Sequence, residues 1–153
     1  MRKPLNIRKY PDPILKKKCA QIEEVTGQER ALAEKMFFAM RHFDGIGLAA
    51  PQVGVSKRMI VADIGKNPIM LINPLILAKS GMDRMEEKCL SVSDAVVGID
   101  RPERIVVSGL NEKGRRVEIK AEGLLARVFQ HEIDHLDGTL IIDYLIQQKS
   151  YFL

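Results

Sequence analysis

Apolar positions along this chain fall into two periods. From Leu32 through Met36, Met40 and Phe43 they recur every three or four residues, which lines one face of an amphipathic helix. Thr26 and Glu29, just upstream, have the spacing at which each side chain caps the other's backbone N–H, and Asp44-Gly45 supplies the stop. The Met and Phe stripe reads as core packing. A second helical stretch covers residues 123–136 and closes at Gly138. Leu124, Leu125, Ala126, Val128, Phe129, Ile133 and Leu136 cover most of its circumference, so this helix is expected to be buried between other elements.

Between the helices lies a Gly-rich stretch, residues 45–54, and then two segments rich in Ile, Val and Leu, residues 59–64 and 69–77, which read as strands. Residues 104–110 and 115–121 flank Asn111-Glu112-Lys113-Gly114, with Ile105, Val107, Val117 and Ile119 at alternating positions, and read as a β-hairpin. Strands do not alternate regularly with helices. The pattern predicts an α+β fold: a single compact domain over residues 1–153, with antiparallel or mixed sheets packed around the second helix.

Composition narrows the function classes. The chain has 153 residues, 46% hydrophobic and 29% charged, which is ordinary for a globular domain. A chain of this length folds without a disulfide or metal staple, so any metal it holds serves chemistry. The longest apolar run, around residues 69–78, is interrupted by Asn73 and Pro74 and falls short of the ~20 residues that span a bilayer. The basic N-terminus carries Pro4, Pro11 and Pro13 and no apolar region follows, so no secretory signal is readable and a cytoplasmic location is expected. Two cysteines, Cys19 and Cys89, make no disulfide framework. The net charge of +4 is spread along the length, with Lys16-Lys17-Lys18 its one dense run, and reads as solvated surface rather than a nucleic-acid patch.

The second helix contains His131-Glu132-Ile133-Asp134-His135. At i and i+4 two imidazoles lie ~40° apart on one face and can point at one ion, with Glu132 beside them to contact its water. Two imidazoles need a third protein ligand. Downstream the chain offers only Asp137 and Asp143; upstream, Cys89 is the best candidate, although taken alone it reads sooner as an inert buried thiol.

Three stretches resemble, in order, the signature motifs of peptide deformylases: Gly45-Ile46-Gly47-Leu48-Ala49-Ala50-Pro51-Gln52-Val53-Gly54, Cys89-Leu90-Ser91, and Gln130-His131-Glu132-Ile133-Asp134-His135-Leu136-Asp137-Gly138. The resemblance extends to Pro11-Asp12-Pro13-x-Leu15 and Ile72-Asn73-Pro74, nearly the whole chain. It implies a hydrolase that removes the formyl group from formyl-methionyl nascent peptides and releases formate. It further implies one metal held by Cys89, His131 and His135, Fe²⁺ in the cell with Zn²⁺, Ni²⁺ or Co²⁺ accepted, and oxyanion donors at the Gln52 carboxamide and the Leu90 backbone N–H. Glu132 would act as the base and then return its proton to the leaving amine. Leu124 and Val128 share a helical face with the two histidines, and with Ile46 they are the expected methionine pocket. Gly47 reads as a permissive turn residue, as a point of close peptide approach, or both.

The sequence departs from the family in two places. The residue before the cysteine is usually Gly and here is Lys88. Lys88 is expected to reach solvent along its flexible stem, while altered substrate or metal preference and weak activity are the other outcomes. Some relatives continue into a basic helix that docks on the ribosome; here the chain stops at Leu153, so a transient ribosome contact is the most that is expected. The rival readings are a zincin-like peptidase, from the His-Glu-x-x-His stretch alone, and a deformylase-fold protein of weak or altered activity, from Lys88. Neither a specific nucleic acid nor a membrane is expected as partner.

Overall fold

The structure is a computed structural model that describes residues 2–149, with side-chain surroundings through residue 145. Residues 150–153, the end of the tail noted above, lie outside the described residues. Among the described residues seven strands and three helices are connected as α1 (Gly27–His42), β1 (Gly47–Ala49), β2 (Met59–Ala62), β3 (Ile69–Ser80), β4 (Asp83–Cys89), β5 (Val92–Arg101), β6 (Arg104–Leu110), β7 (Arg116–Glu122), α2 (Gly123–Leu136) and α3 (Ile141–Lys149). This is the α+β class expected. Every pairing between these strands is antiparallel, in a five-stranded sheet of order β1-β2-β3-β6-β7 and a two-stranded sheet β4-β5.

Strand periodicity decides where α2 lies. Along β2, Ile60 and Ala62 pack with Ala126, Phe129 and Ile133 of α2, whereas Met59 and Val61 pack with Met36 and Met40 of α1. The two helices therefore cover opposite faces of the large sheet, and β2, buried on both faces, reads as a continuous apolar run. α2 is buried almost all round, as its residue distribution predicts, yet Arg127, Gln130, Glu132 and His135 are buried with it.

The helix ends follow their local chemistry. At α1, the Thr26 N–H and hydroxyl both donate to Glu29 Oε1 at 2.8 Å, and Gln28 N–H donates to Thr26 Oγ1 at 3.2 Å, completing the reciprocal cap. α1 stops at His42, with Asp44 rather than Gly45 in the left-handed region (φ 59) and the Gly45 N–H returning to the Met40 carbonyl. Phe43 is a correction to the expected stripe: it caps the helix and is 40% exposed. At the end of α2, Gly138 has φ 74, and a Cβ there would lie 2.5 Å from the Lys16 carbonyl oxygen, so only glycine fits.

Two segments differ from expectation. β3 runs through Asn73-Pro74 to Ser80 because the register shifts there: Asn73 takes φ 52, and its amide clamps Ile22 by accepting from N–H at 2.9 Å and donating to C=O at 2.7 Å. Proline is tolerated in a strand at such a bulge. The β4-β5 hairpin occupies residues whose hydrophobic pattern predicts no strand. Its ladder shifts register between Glu87 and Cys89, so Lys88 has no Cα partner on β5.

Candidate metal centre

Cys89, the last residue of β4, meets His131 and His135 of α2. One ligand atom from each lies within 4.8 Å of the others, and Cys89 Sγ is 3.3 Å from His135 Nε2. The cysteine is drawn inward with Val97, Ile99 and Ile141, which pack the small hairpin against α3. A convergence of thiol and two imidazoles from separated parts of the chain is the donor set of a soft-to-borderline divalent ion.

Glu87, two residues before Cys89 and on the same inward face, holds the site in register. Its Oε1 is 2.8 Å from His131 Nδ1, which leaves Nε2 as the ring nitrogen free to face the cluster. The same carboxylate accepts from Arg101 Nε at 2.6 Å and Nη2 at 3.0 Å, and from Arg127 Nη1 at 2.8 Å. Arg101 also donates to Asp134, which accepts from the Tyr144 hydroxyl at 2.7 Å. Burial works against the Glu87 charge, but the hydrogen bonds from His131 and Arg101 outweigh it and hold the carboxyl well below the ordinary carboxylate range.

The titration behaviour of the cluster divides by neighbour. For His131 burial opposes charge, but Glu132, Cys89 and Glu87 overcome it and raise its pKa well above the usual value. His135 is pushed well below it, by burial and then by the charge of His131. Burial raises Glu132 to about 7, against the pull of His131. Among the described residues only three buried side-chain polar atoms lack a hydrogen-bond partner: Glu132 Oε1, His135 Nδ1 and Ser108 Oγ. The first two lie in this site.

Gln52 reaches it from the short 3-10 turn Ala50–Val53 that follows β1. Its Oε1 accepts from the Ala49 N–H at 2.9 Å, so its amide nitrogen is the end that faces Ser91 Oγ at 3.1 Å and Cys89 Sγ at 3.8 Å. Leu90 sits at the turn between β4 and β5, and its carbonyl accepts from Lys9 Nζ at 2.6 Å.

A cavity of about 610 Å³ opens onto the cluster. Its walls include Ile46, Gly47, Gln52, Leu90, Leu124, Val128, His131 and Glu132, so every residue expected to bind substrate lines it, while His135 lies deeper. Gly47 approaches Glu132 so closely that a Cβ would be 2.6 Å from Oε2, and its φ is not left-handed, so packing against Glu132 rather than turn geometry calls for glycine there. Lys88 lines the wall, is exposed, and sits in ordinary extended backbone, since Asp44 and Asn73 are the only described non-glycine residues of positive φ. No glycine is needed at that position for backbone geometry.

Sequence reasoning missed Glu87, Arg101 and Arg127, which orient rather than face the cavity centre. The available signal was a carboxylate two residues before the cysteine, hence on its face of any strand.

Comparison with known proteins places the whole chain. The family model described as polypeptide deformylase matches residues 4–151. Peptide deformylase of Halothermothrix orenii is 49% identical over 145 residues, covering 94% of both chains. The crystal structure of peptide deformylase from Thermotoga maritima superposes with a TM-score of 0.90 at 44% identity, covering 93% of this chain and 97% of that one. That of Ehrlichia chaffeensis in complex with actinonin gives 0.91 at 39% identity, covering 94% and 89%. With matches of this extent in sequence and structure, the chain belongs to the polypeptide deformylase family.

Proposed function

We propose that this chain hydrolyses the N-terminal formyl group of formyl-methionyl nascent peptides to formate, as one catalytic domain, with Cys89, His131 and His135 holding one divalent ion, Fe²⁺ in the cell and Zn²⁺, Ni²⁺ or Co²⁺ as substitutes. The observation that carries this is the convergence of that Cys/His/His set with Glu132 on one cavity. When bound, such an ion supplies Lewis-acid activation of water and of the formyl oxygen. Thiolate and neutral imidazole are what the ion requires, and His135, held uncharged by its burial, is already in that form.

The chain's own groups divide the remaining work. Glu132 takes the proton of the attacking water at its unpartnered Oε1 and returns it to the leaving amine, so that water and amide become formate and a free N-terminus. Burial raises this carboxyl above the ordinary carboxylate range, which suits it to both transfers. The Gln52 amide nitrogen, oriented by the bond that its Oε1 accepts from the Ala49 N–H, and the Leu90 N–H donate to the oxyanion. Ile46, Leu124 and Val128 enclose the methionine side chain, and Gly47 lets the peptide backbone and Glu132 approach.

The cavity lies between β1, an edge of the large sheet, and β4, whose only partner strand among the described residues is β5. An extended peptide laid there adds a strand and fixes its register. Such substrates put the enzyme in the cytoplasm with at most a transient ribosome contact. Among the described residues no helix is long and apolar enough to cross a membrane. The comparisons support neither the zincin-like nor the impaired-module reading.

Anaerobic purification, elemental analysis and a formate-release assay on formyl-Met-Ala-Ser test the proposal. About one transition metal per chain is expected, with turnover lost by orders of magnitude in Glu132→Ala. Full turnover by that variant refutes the role of Glu132, and absence of formate release by the metal-loaded enzyme refutes the activity.

A further inference from the structure

Two lysines stand on the wall of this cavity, Lys9 and Lys88, both exposed and neither in an ion pair among the described residues. Lys9 is pinned by its 2.6 Å bond to the Leu90 carbonyl, a neutral acceptor, whereas the Lys88 ammonium makes no hydrogen bond within the described chain. Four acids share the cavity: Glu87 is held between Arg101 and Arg127, Glu132 lies at the buried end, and Asp44 and Glu86 are exposed. Lys88 therefore offers an unneutralised charge beside Cys89.

Strand alternation says which substrate residue meets it. Along β4, Glu87 and Cys89 are buried toward α2, and Lys88 between them presents the opposite face. A peptide paired beside β4 with its methionine among Leu124 and Val128 of α2 directs its next side chain to that opposite face. We propose that Lys88 is a specificity-determining residue that selects formyl-methionyl peptides whose second residue is acidic. This rests on the deformylase reading above and adds a substrate preference to it.

The test compares formyl-Met-Glu-Ser, formyl-Met-Ala-Ser and formyl-Met-Lys-Ser on the metal-loaded enzyme, as wild type, Lys88→Gly and Lys88→Glu. In wild type kcat/KM for the Glu peptide exceeds that for the Lys peptide by roughly three- to tenfold at low salt, the size of an exposed attraction set against an exposed repulsion. The ratio shrinks at about 0.5 M salt, collapses in Lys88→Gly and inverts in Lys88→Glu. Calorimetric affinities of the product peptides Met-Glu-Ser and Met-Lys-Ser follow the same order without turnover. A ratio near one in wild type, or one unchanged by both substitutions, overturns the inference alone. Absence of formate from all three peptides overturns the deformylase reading and this inference together.

Discussion

Replacing Gly47 by alanine places one methyl group where the structure leaves no room. The added Cβ would sit 2.6 Å from Glu132 Oε2, 2.7 Å from Val128 Cγ1 and 3.1 Å from Glu132 Cγ. Relaxed carbon contacts lie at about 3.5–4.0 Å, so the Glu132 carboxylate must retreat by about 1 Å. The chain trace itself accepts alanine, since Gly47 lies in β1 without positive φ. A displacement of about 1 Å at a reacting group costs on the order of 100-fold in rate. Steady-state formate release should therefore show the loss mainly in kcat, while elemental analysis still finds about one metal per chain, because the methyl group's nearest neighbours include none of the three ligands. Overpacking should also cost about 1–3 kcal/mol of stability and lower Tm by several degrees. Activity within threefold of wild type would refute the close-packing argument, and a loss confined to KM would show that the methyl group obstructs the peptide and leaves Glu132 in place.

Three further outcomes are expected. Glu87→Gln leaves Arg101 and Arg127 without their shared carboxylate, so denaturant unfolding should show a loss of about 3–5 kcal/mol and metal titration a 10–100-fold weaker site; an unchanged metal affinity would separate Glu87 from the site. Gly138→Ala, strained at φ 74 and pressed against the Lys16 carbonyl, should lower stability by about 1–3 kcal/mol in thermal unfolding, with the ligand residues themselves unaltered. Glu29 has its pKa lowered from 4.5, chiefly by the Thr26 N–H and then by its hydroxyl. A depressed folded value means that the carboxylate adds stability above pH 4.5 and loses it as the pH falls through the folded value. The stability gap between wild type and Glu29→Gln should therefore be full at pH 7 and shrink below pH 4.5 in urea titrations.

What could be read from the residues divides by the range of the interaction. α2 ends where expected because its stop is chemical and local: Gly138 takes the left-handed φ of 74 that closes the helix. The α1 cap and the β6-β7 hairpin were legible for the same reason, with errors of one residue at their ends. The β4-β5 hairpin was not, because its inward residues are few and include Glu87 and Arg101, whose burial depends on each other and on Arg127 forty residues on. A sequence pattern cannot price a charge that is buried only because its partner arrives from another element. That His131 and His135 share one face was legible from helical spacing, and Cys89 stood out as the best upstream thiol before the family motif added weight to it, although a lone thiol carries no periodic signal.

The polar content of α2 gives an independent argument for where the chemistry resides. Arg127 bonds Glu87 and the carbonyls of Ile99 and Asp83; Gln130 bonds those of Pro102 and Ala126; His131 bonds Glu87. Each of these buried groups is compensated and can be explained by stability alone. Glu132 Oε1 and His135 Nδ1 receive no bond from the chain itself. Two such atoms lie within four residues of one helix, and neither helix formation nor core packing asks for them. A carboxylate kept there, pushed toward neutral pH and touching the cavity, is best explained by a proton that has to be moved.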